Sequence, residues 1–314
     1  MERIHTIVLP VRPQPDTLVA IFLLQTFGKQ QFPGVETAKV TIDETPPTRS
    51  FKELCADGIL MIDSGKGPFD HHGTDKCATE LVAEYLGLSK DPSVKKLLTY
   101  AKRDDAEGKG TLSADPIDRA FGLSGLVSSL KKKYSNDPQK IVDIVLPLLD
   151  AHYFAAWEHH VGIPEEIVKK KADGRYSEAK ATQGNKKLKV VFVVSDKTSM
   201  PTYLRSWNGV RADVVVQKNE DRSRTCVITR QEVKVDLTNV AALIRMREAE
   251  LRGLTLPADE DALFSVGRVE GIASWYLDPA TNSLLNVGEK SDDTRIEWEE
   301  LQQIVLKGLQ LQLS

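Results

Sequence analysis

Residues 59–74, ILMIDSGKGPFDHHGT, set a four-residue apolar run before Asp63, then a glycine-containing turn, then Asp70, His71 and His72. A short apolar run bounded by turn residues reads as a buried strand. A charge at the end of such a strand is costly unless something uses it. In open α/β sheets, ligands sit outside the carboxyl ends of the parallel strands. This stretch therefore predicts a buried strand with a site at its mouth.

Upstream, IHTIVL (4–9) reads as a strand, and Pro10, Pro13 and Pro15 then force an extended loop. TLVAIFLLQTFG follows as a helix closed by Gly28, and TAKVTI (37–42) as another strand. Downstream, DKCATELVAEYLGL spaces Ala78, Leu81, Val82 and Tyr85 along one helical face, and Asp91-Pro92 opens the helix DPSVKKLLTYAKR. Strand, loop and helix in repeated alternation predict an α/β fold with a parallel sheet covered by helices.

From about 123 to 172 the pattern is all-helical, and the polar stretch KATQGNKK (180–187), with Gly184, reads as a linker. Strands return in LKVVFVVSD, ADVVVQKNED and RTCVITRQEVKVDL, followed by the helix NVAALIRMREAELRG and the strand region FSVGRVEGIASWYL. The expected organisation is one α/β domain with a helical connector over 1–180 and a second, smaller α/β domain over 187–314.

The chain has 314 residues, 41% hydrophobic and 28% charged, with a formal net charge of −3. That balance argues against a coat for duplex DNA or an anionic membrane, while leaving room for a local basic groove. Cys55, Cys77 and Cys226 lack metal-knuckle spacing and cannot all pair, which fits a reducing compartment. The opening residues are too interrupted by charge and proline for a signal peptide, and no run approaches the roughly 18 apolar residues of a membrane span. A cytoplasmic location without membrane contact is expected.

Four places carry candidate ligands: Asp16 after the proline loop, Asp63, the Asp70-His71-His72 run, and Asp104-Asp105 in AKRDDAEGKG. Carboxylates with imidazole suit Mn²⁺, with Mg²⁺ a harder alternative. Each place also has an ordinary reading: a helix cap for Asp16, a strand end for Asp63, a solvated turn for the histidines, helix-end charge for Asp104-Asp105. His152, His159 and His160 lack a matching carboxylate and read as hydrated or packed. Lys131–Lys133 read as a solvated face, and Trp157, Trp207 and Trp275 as packing residues.

PVRPQPDTLVA, strand-terminal Asp63, Asp70-His71-His72 and Asp104-Asp105, in that order, resemble the DHH phosphoesterase superfamily of RecJ-like nucleases, oligoribonucleases, cyclic-dinucleotide phosphodiesterases and family II inorganic pyrophosphatases. The motifs span roughly residues 4 to 110. By that resemblance, residues 1–180 form a DHH-like metal-binding catalytic domain and 187–314 a substrate-binding domain. Asp16, Asp63, His71 and one of Asp104 or Asp105 would hold Mn²⁺. His72 would contact the scissile phosphate or its leaving group, and Asp70 would orient a histidine. The family's first motif usually reads His-x-x-x-Asp-x-Asp, where this chain has Pro10, Gln14 and Asp16, so one metal site is complete and the other is not. The usual Gly-Gly-His signature is missing, and GRVEGIASW (267–275) is its nearest analogue.

The resemblance implies hydrolysis of a phosphodiester or phosphoanhydride of a nucleotide or short oligonucleotide in an interdomain cleft. Arg12 and Gln14 from the proline loop, Arg268 and Gly271 from GRVEG, and Arg205 before SWNGV, with Arg211 after it, are the candidate substrate contacts. Two alternatives stay open: a DHH-like nucleotide-binding regulatory protein without turnover, and a single-strand exonuclease. A homodimer is compatible with either.

Overall fold

The computed structural model describes residues 2–45, 48–108, 110–221, 224–286 and 292–311, with backbone alone at 273 and 274. Packing divides the chain into two units, Met1–Val161 and Gly162–Ser314, each α/β.

The first unit runs β1 (Thr6–Leu9), α1 (Pro15–Phe27), β2 (Lys39–Ile42), α2 (Phe51–Ala56), β3 (Ile59–Met61), α3 (Ala78–Tyr85), α4 (Lys95–Glu107), α5 (Pro116–Phe121), α6 (Leu123–Lys133) and α7 (Pro138–Trp157). Its three strands are all parallel, in the order β2-β1-β3, with Ile7 opposite both Val40 and Leu60. The expected parallel sheet is thus present, and small.

Helix α1 explains the packing around it. LVAIFLL, Leu18 to Leu24, is buried residue after residue, and a helix that is apolar all round belongs inside a core. It starts sharply because Pro15 occupies its first turn and the Thr17 hydroxyl accepts the Gln14 N–H at 2.9 Å. Helices α3, α4 and α7 pack against it. Asp91 and Pro92 precede rather than open α4: Asp91 Oδ1 accepts the Ser93 N–H at 2.7 Å, and the helix begins at Lys95.

The second unit runs α8 (Ile163–Ala172), β4 (Tyr176–Gln183), β5 (Lys186–Val194), α9 (Met200–Arg205), β6 (Val214–Lys218), β7 (Thr225–Thr229), α10 (Thr238–Arg252), β8 (Gly267–Val269), β9 (Ile272–Asp278), β10 (Ser283–Asn286) and α11 (Trp298–Gln310). These strands make a seven-stranded mixed sheet, β4-β5-β6-β7-β10-β9-β8, parallel only between β5 and β6. The second domain, expected to be the smaller, therefore carries the larger sheet. The linker expected over 180–187 is a hairpin: Gln183 pairs with Lys186 around Gly184, which takes φ +57°. Its polar residues belong to an edge strand, where charge blocks further pairing. The division between units falls earlier, at 161/162.

Two buried groups brace this unit. Arg245 is fully buried and donates to the carbonyls of Leu263 (2.7 Å), Ser265 (2.8 Å) and Gly267 (2.6 Å), fixing the approach to β8. Burial lowers its pKa to about 10. Glu248, also fully buried, accepts from the Trp275 indole at 3.2 Å and Arg252 Nε at 3.0 Å. Trp275 is core, as expected; Trp207 is 78% exposed, so the packing expectation fails for it.

Candidate metal centre

β3 delivers Asp63 two residues past its end, after the Ile62 N–H has made one last ladder bond to Val8 at 3.1 Å. There the backbone turns into the left-handed region, φ +59°, a conformation Asp tolerates better than most residues. The following loop closes when the Asp63 N–H reaches the Phe69 carbonyl at 3.0 Å. Phe69 is fully buried, with ring centroids of Phe32 at 5.8 Å, Phe51 at 5.9 Å and Tyr85 at 5.3 Å. This aromatic anchor sets where Asp70, His71 and His72 emerge.

His71 is oriented from behind: its Nδ1 lies 3.0 Å from the Lys76 carbonyl. A carbonyl only accepts, so Nδ1 carries the proton and Nε2 of the neutral ring presents a lone pair. That Nε2 lies 2.7 Å from Asp63 Oδ1, yet Oδ1 is buried and has no hydrogen-bond partner. The two atoms are close but not aligned for a shared proton. Donors at about 2.1 Å from an octahedral cation stand about 3 Å apart, so the spacing is that of neighbouring ligands.

Asp16 and Asp105 form a second triad that shares His71 with the first. Ligand atoms of Asp16, His71 and Asp105 lie within 4.8 Å of one another, as do those of Asp63, His71 and His72. Asp16 is buried in the first turn of α1, and its carboxylate also accepts the N–H groups of Ala78 (3.0 Å) and Thr79 (2.9 Å). Asp16 thus caps α3 from another element, and the same carboxylate reaches the triad with His71 and Asp105. Asp105 Oδ2 lies 3.7 Å from His71 Nδ1.

The choice between Asp104 and Asp105 follows from helix geometry. Successive residues on α4 point about 100° apart, so the two cannot face one site together. Asp104 Oδ1 accepts from Ser124 Oγ at 2.5 Å, and Ser124 also meets the Tyr100 hydroxyl at 2.7 Å. Asp104 is held against α6, and Asp105 faces the cluster. Of the two alternatives, Asp105 belongs to a triad and Asp104 to neither. Ser124, which holds Asp104, and the Lys76 carbonyl, which orients His71, are partners that no local motif announces.

His72 is different in kind. It is 71% exposed, and its Nδ1 lies 2.7 Å from Asp70 Oδ1. Asp70 also accepts the N–H groups of Lys66 (2.7 Å) and His72 (3.1 Å). The histidine that Asp70 orients is therefore His72.

Charge in the cluster is unbalanced. Burial, with Asp16 and Asp105 adding repulsion and the histidines opposing it, pushes the Asp63 carboxyl above its ordinary value. Burial and then Asp16 push Asp105 up as well. Three carboxylates around one imidazole are what a divalent cation relieves. Burial works against ionised Asp70, but the His72 bond and the two N–H bonds outweigh it and hold its pKa low; the Asp70 bond raises that of His72.

The remaining candidates are not all at this place. Gln14 is exposed, and Arg12 donates to the Ser135 carbonyl at 3.1 Å. In the second unit, Arg205 donates to the carbonyls of Pro201 (3.1 Å) and Thr229 (2.7 Å), so it braces the end of α9. Arg268 lies 5.9 Å from the Tyr276 ring, and Gly271, at φ +79°, makes the β8–β9 turn.

No protein-family model matches the chain, and no curated protein matches it. The site is therefore read from its own chemistry. Among the described residues no helix is long and apolar enough to cross a membrane.

Proposed function

We propose that the chain is a DHH-like, metal-dependent phosphoesterase acting on a phosphodiester or phosphoanhydride of a nucleotide or short oligonucleotide. The observation that carries this reading is the partnerless Asp63 Oδ1 facing His71 Nε2 at 2.7 Å. Asp16, Asp63, His71 and Asp105 would hold the cation, and their mixed oxygen and nitrogen donors suit Mn²⁺ better than Mg²⁺. A divalent cation bound there supplies polarisation of a phosphoryl oxygen and neutralisation of its charge.

The chain's own groups divide the remaining work. The Lys76 carbonyl holds His71 in one tautomer, as backbone partners of metal-binding histidines do. Asp70 holds His72 by Nδ1, leaving Nε2 as the atom that gives or takes a proton, and favours the protonated ring. A protonated His72 would serve as proton donor to a departing oxygen. The order of strand-end Asp63, Asp70-His71-His72 and the Asp105 helix supports the DHH reading.

A second reading, a nucleotide-binding protein that holds one cation and hydrolyses nothing, is supported by the loop from Pro10 to Gln14. It offers no carboxylate or imidazole, so a second cation would have few ligands there. One assay separates the two: hydrolysis of bis(p-nitrophenyl) phosphate and of short oligonucleotides with Mn²⁺ and with EDTA. Turnover that EDTA abolishes supports the enzyme. Nucleotide binding without turnover supports the binding protein.

A further inference from the structure

Trp207 sits in the loop between α9 and β6, and at 78% exposure it is unlike the other described tryptophans that have been placed in cores, Trp275 at 0% and Trp298 at 9%. The loop that carries it is tightly built. Ser206 Oγ donates to the Tyr203 carbonyl at 2.7 Å and accepts the Gly209 N–H at 3.3 Å. A Cβ on Gly209 would lie 2.2 Å from the Tyr203 carbonyl oxygen, so only glycine allows this close approach. The Ala212 N–H closes the loop on the Leu204 carbonyl at 2.9 Å.

Between those anchors Arg211 takes φ +52° and lays its guanidinium over the indole, Cζ 3.1 Å from the ring centroid. The cation lies over one aromatic face. Its N–H groups meet no hydrogen-bond acceptor or carboxylate among the described residues. The result is an exposed aromatic plane with a charge-bearing edge of unused donors.

We propose that Trp207 and Arg211 form an accessory platform for single-stranded nucleic acid, the open indole face stacking a base and the guanidinium edge meeting its phosphate. A planar ring with an anion a few ångströms away is what these two groups match. Choosing a nucleotide over other planar anions rests on the phosphoesterase reading, and it narrows the substrate to single-stranded oligonucleotides. The platform lies at the amino end of β6 and carries no metal-ligating group, so its proposed role is to bind.

The test uses the full chain in EDTA, titrated with a single-stranded deoxythymidine pentamer while tryptophan emission is read. Quenching is expected, and Trp207→Phe should abolish the quench. Trp207→Ala should weaken binding roughly tenfold or more, and Arg211→Gln should weaken it and flatten its salt dependence. No quenching by the pentamer, or equal affinity in Trp207→Ala, would overturn the proposal. So would a concentration-dependent dimer that Trp207→Ala dissolves without any response to the pentamer, which would mark a protein interface. Quenching without Mn²⁺-dependent turnover keeps the platform and rejects the enzyme; turnover without quenching does the reverse.

Discussion

Asp63 Oδ1 stands 2.7 Å from His71 Nε2 without accepting a hydrogen bond from it. The aspartate sits at φ +59°, its carboxyl pushed up by burial, and the Lys76 carbonyl fixes the histidine from the far side. Such a pair is unfavourable by itself, and the proposed cation between the two atoms would set function against stability here.

Asp63→Asn separates the two. Asn tolerates the left-handed backbone and removes the buried charge, so in EDTA the variant should be more stable, by about 1 kcal/mol. The urea midpoint of the full chain in EDTA measures this, and Mn²⁺ should stabilise the wild type but not the variant. A variant less stable in EDTA would mean that the carboxylate is well satisfied without metal.

Asp16 behaves oppositely, because it also caps α3. Removing its carboxylate leaves the N–H groups of Ala78 and Thr79 buried without a partner. Asp16→Ala should cost about 2 kcal/mol in EDTA, where no metal is at stake. In EDTA the lost cap should outweigh the relieved repulsion on Asp63 and Asp105, so the denaturation midpoint should fall; an unchanged midpoint would contradict that.

His72 gives a pH dependence with a defined sign. Its folded pKa lies above the ordinary imidazole value because Asp70 accepts from Nδ1. That contribution is fully present below the unfolded value of about 6.5 and is lost as pH rises through the folded one. Asp70, held low, contributes above its unfolded value and loses it as pH falls. In EDTA the stability advantage of wild type over His72→Gln should therefore shrink as pH is raised past about 6.5. Because His72 is 71% exposed, the change should stay under about 1 kcal/mol. An advantage that grows with pH would contradict the bond.

Much of the first unit was legible in the sequence, for particular reasons. The run from Leu18 to Leu24 is long and wholly apolar, and ILMI ends in a charge, so the helix, the strand and the aspartate at its mouth could each be placed. β4 could not, because an edge strand facing solvent looks like a polar linker; its two-residue turn at Gly184-Asn185 was the clue. Asp104 and Asp105 are equivalent by composition, and only Ser124, twenty residues on, separates them. The cap from Asp16 to α3 spans 62 residues and leaves no local pattern. Trp207 was read as packing by residue type, while its exposure depends on the Gly209 turn.

The most direct test of the metal centre is the Mn²⁺ content of the full chain after equilibrium dialysis, compared across Asp63→Asn, His71→Ala, Asp105→Asn and Asp104→Asn. One tightly held ion per chain is expected, since Pro10 and Gln14 leave a second site without charged ligands. The first three variants should each lower occupancy at least tenfold in affinity, roughly the scale of losing one ligand or its support, while Asp104→Asn should hold its ion. Unchanged Mn²⁺ content in Asp63→Asn and His71→Ala, or loss in Asp104→Asn with retention in Asp105→Asn, would contradict the centre described.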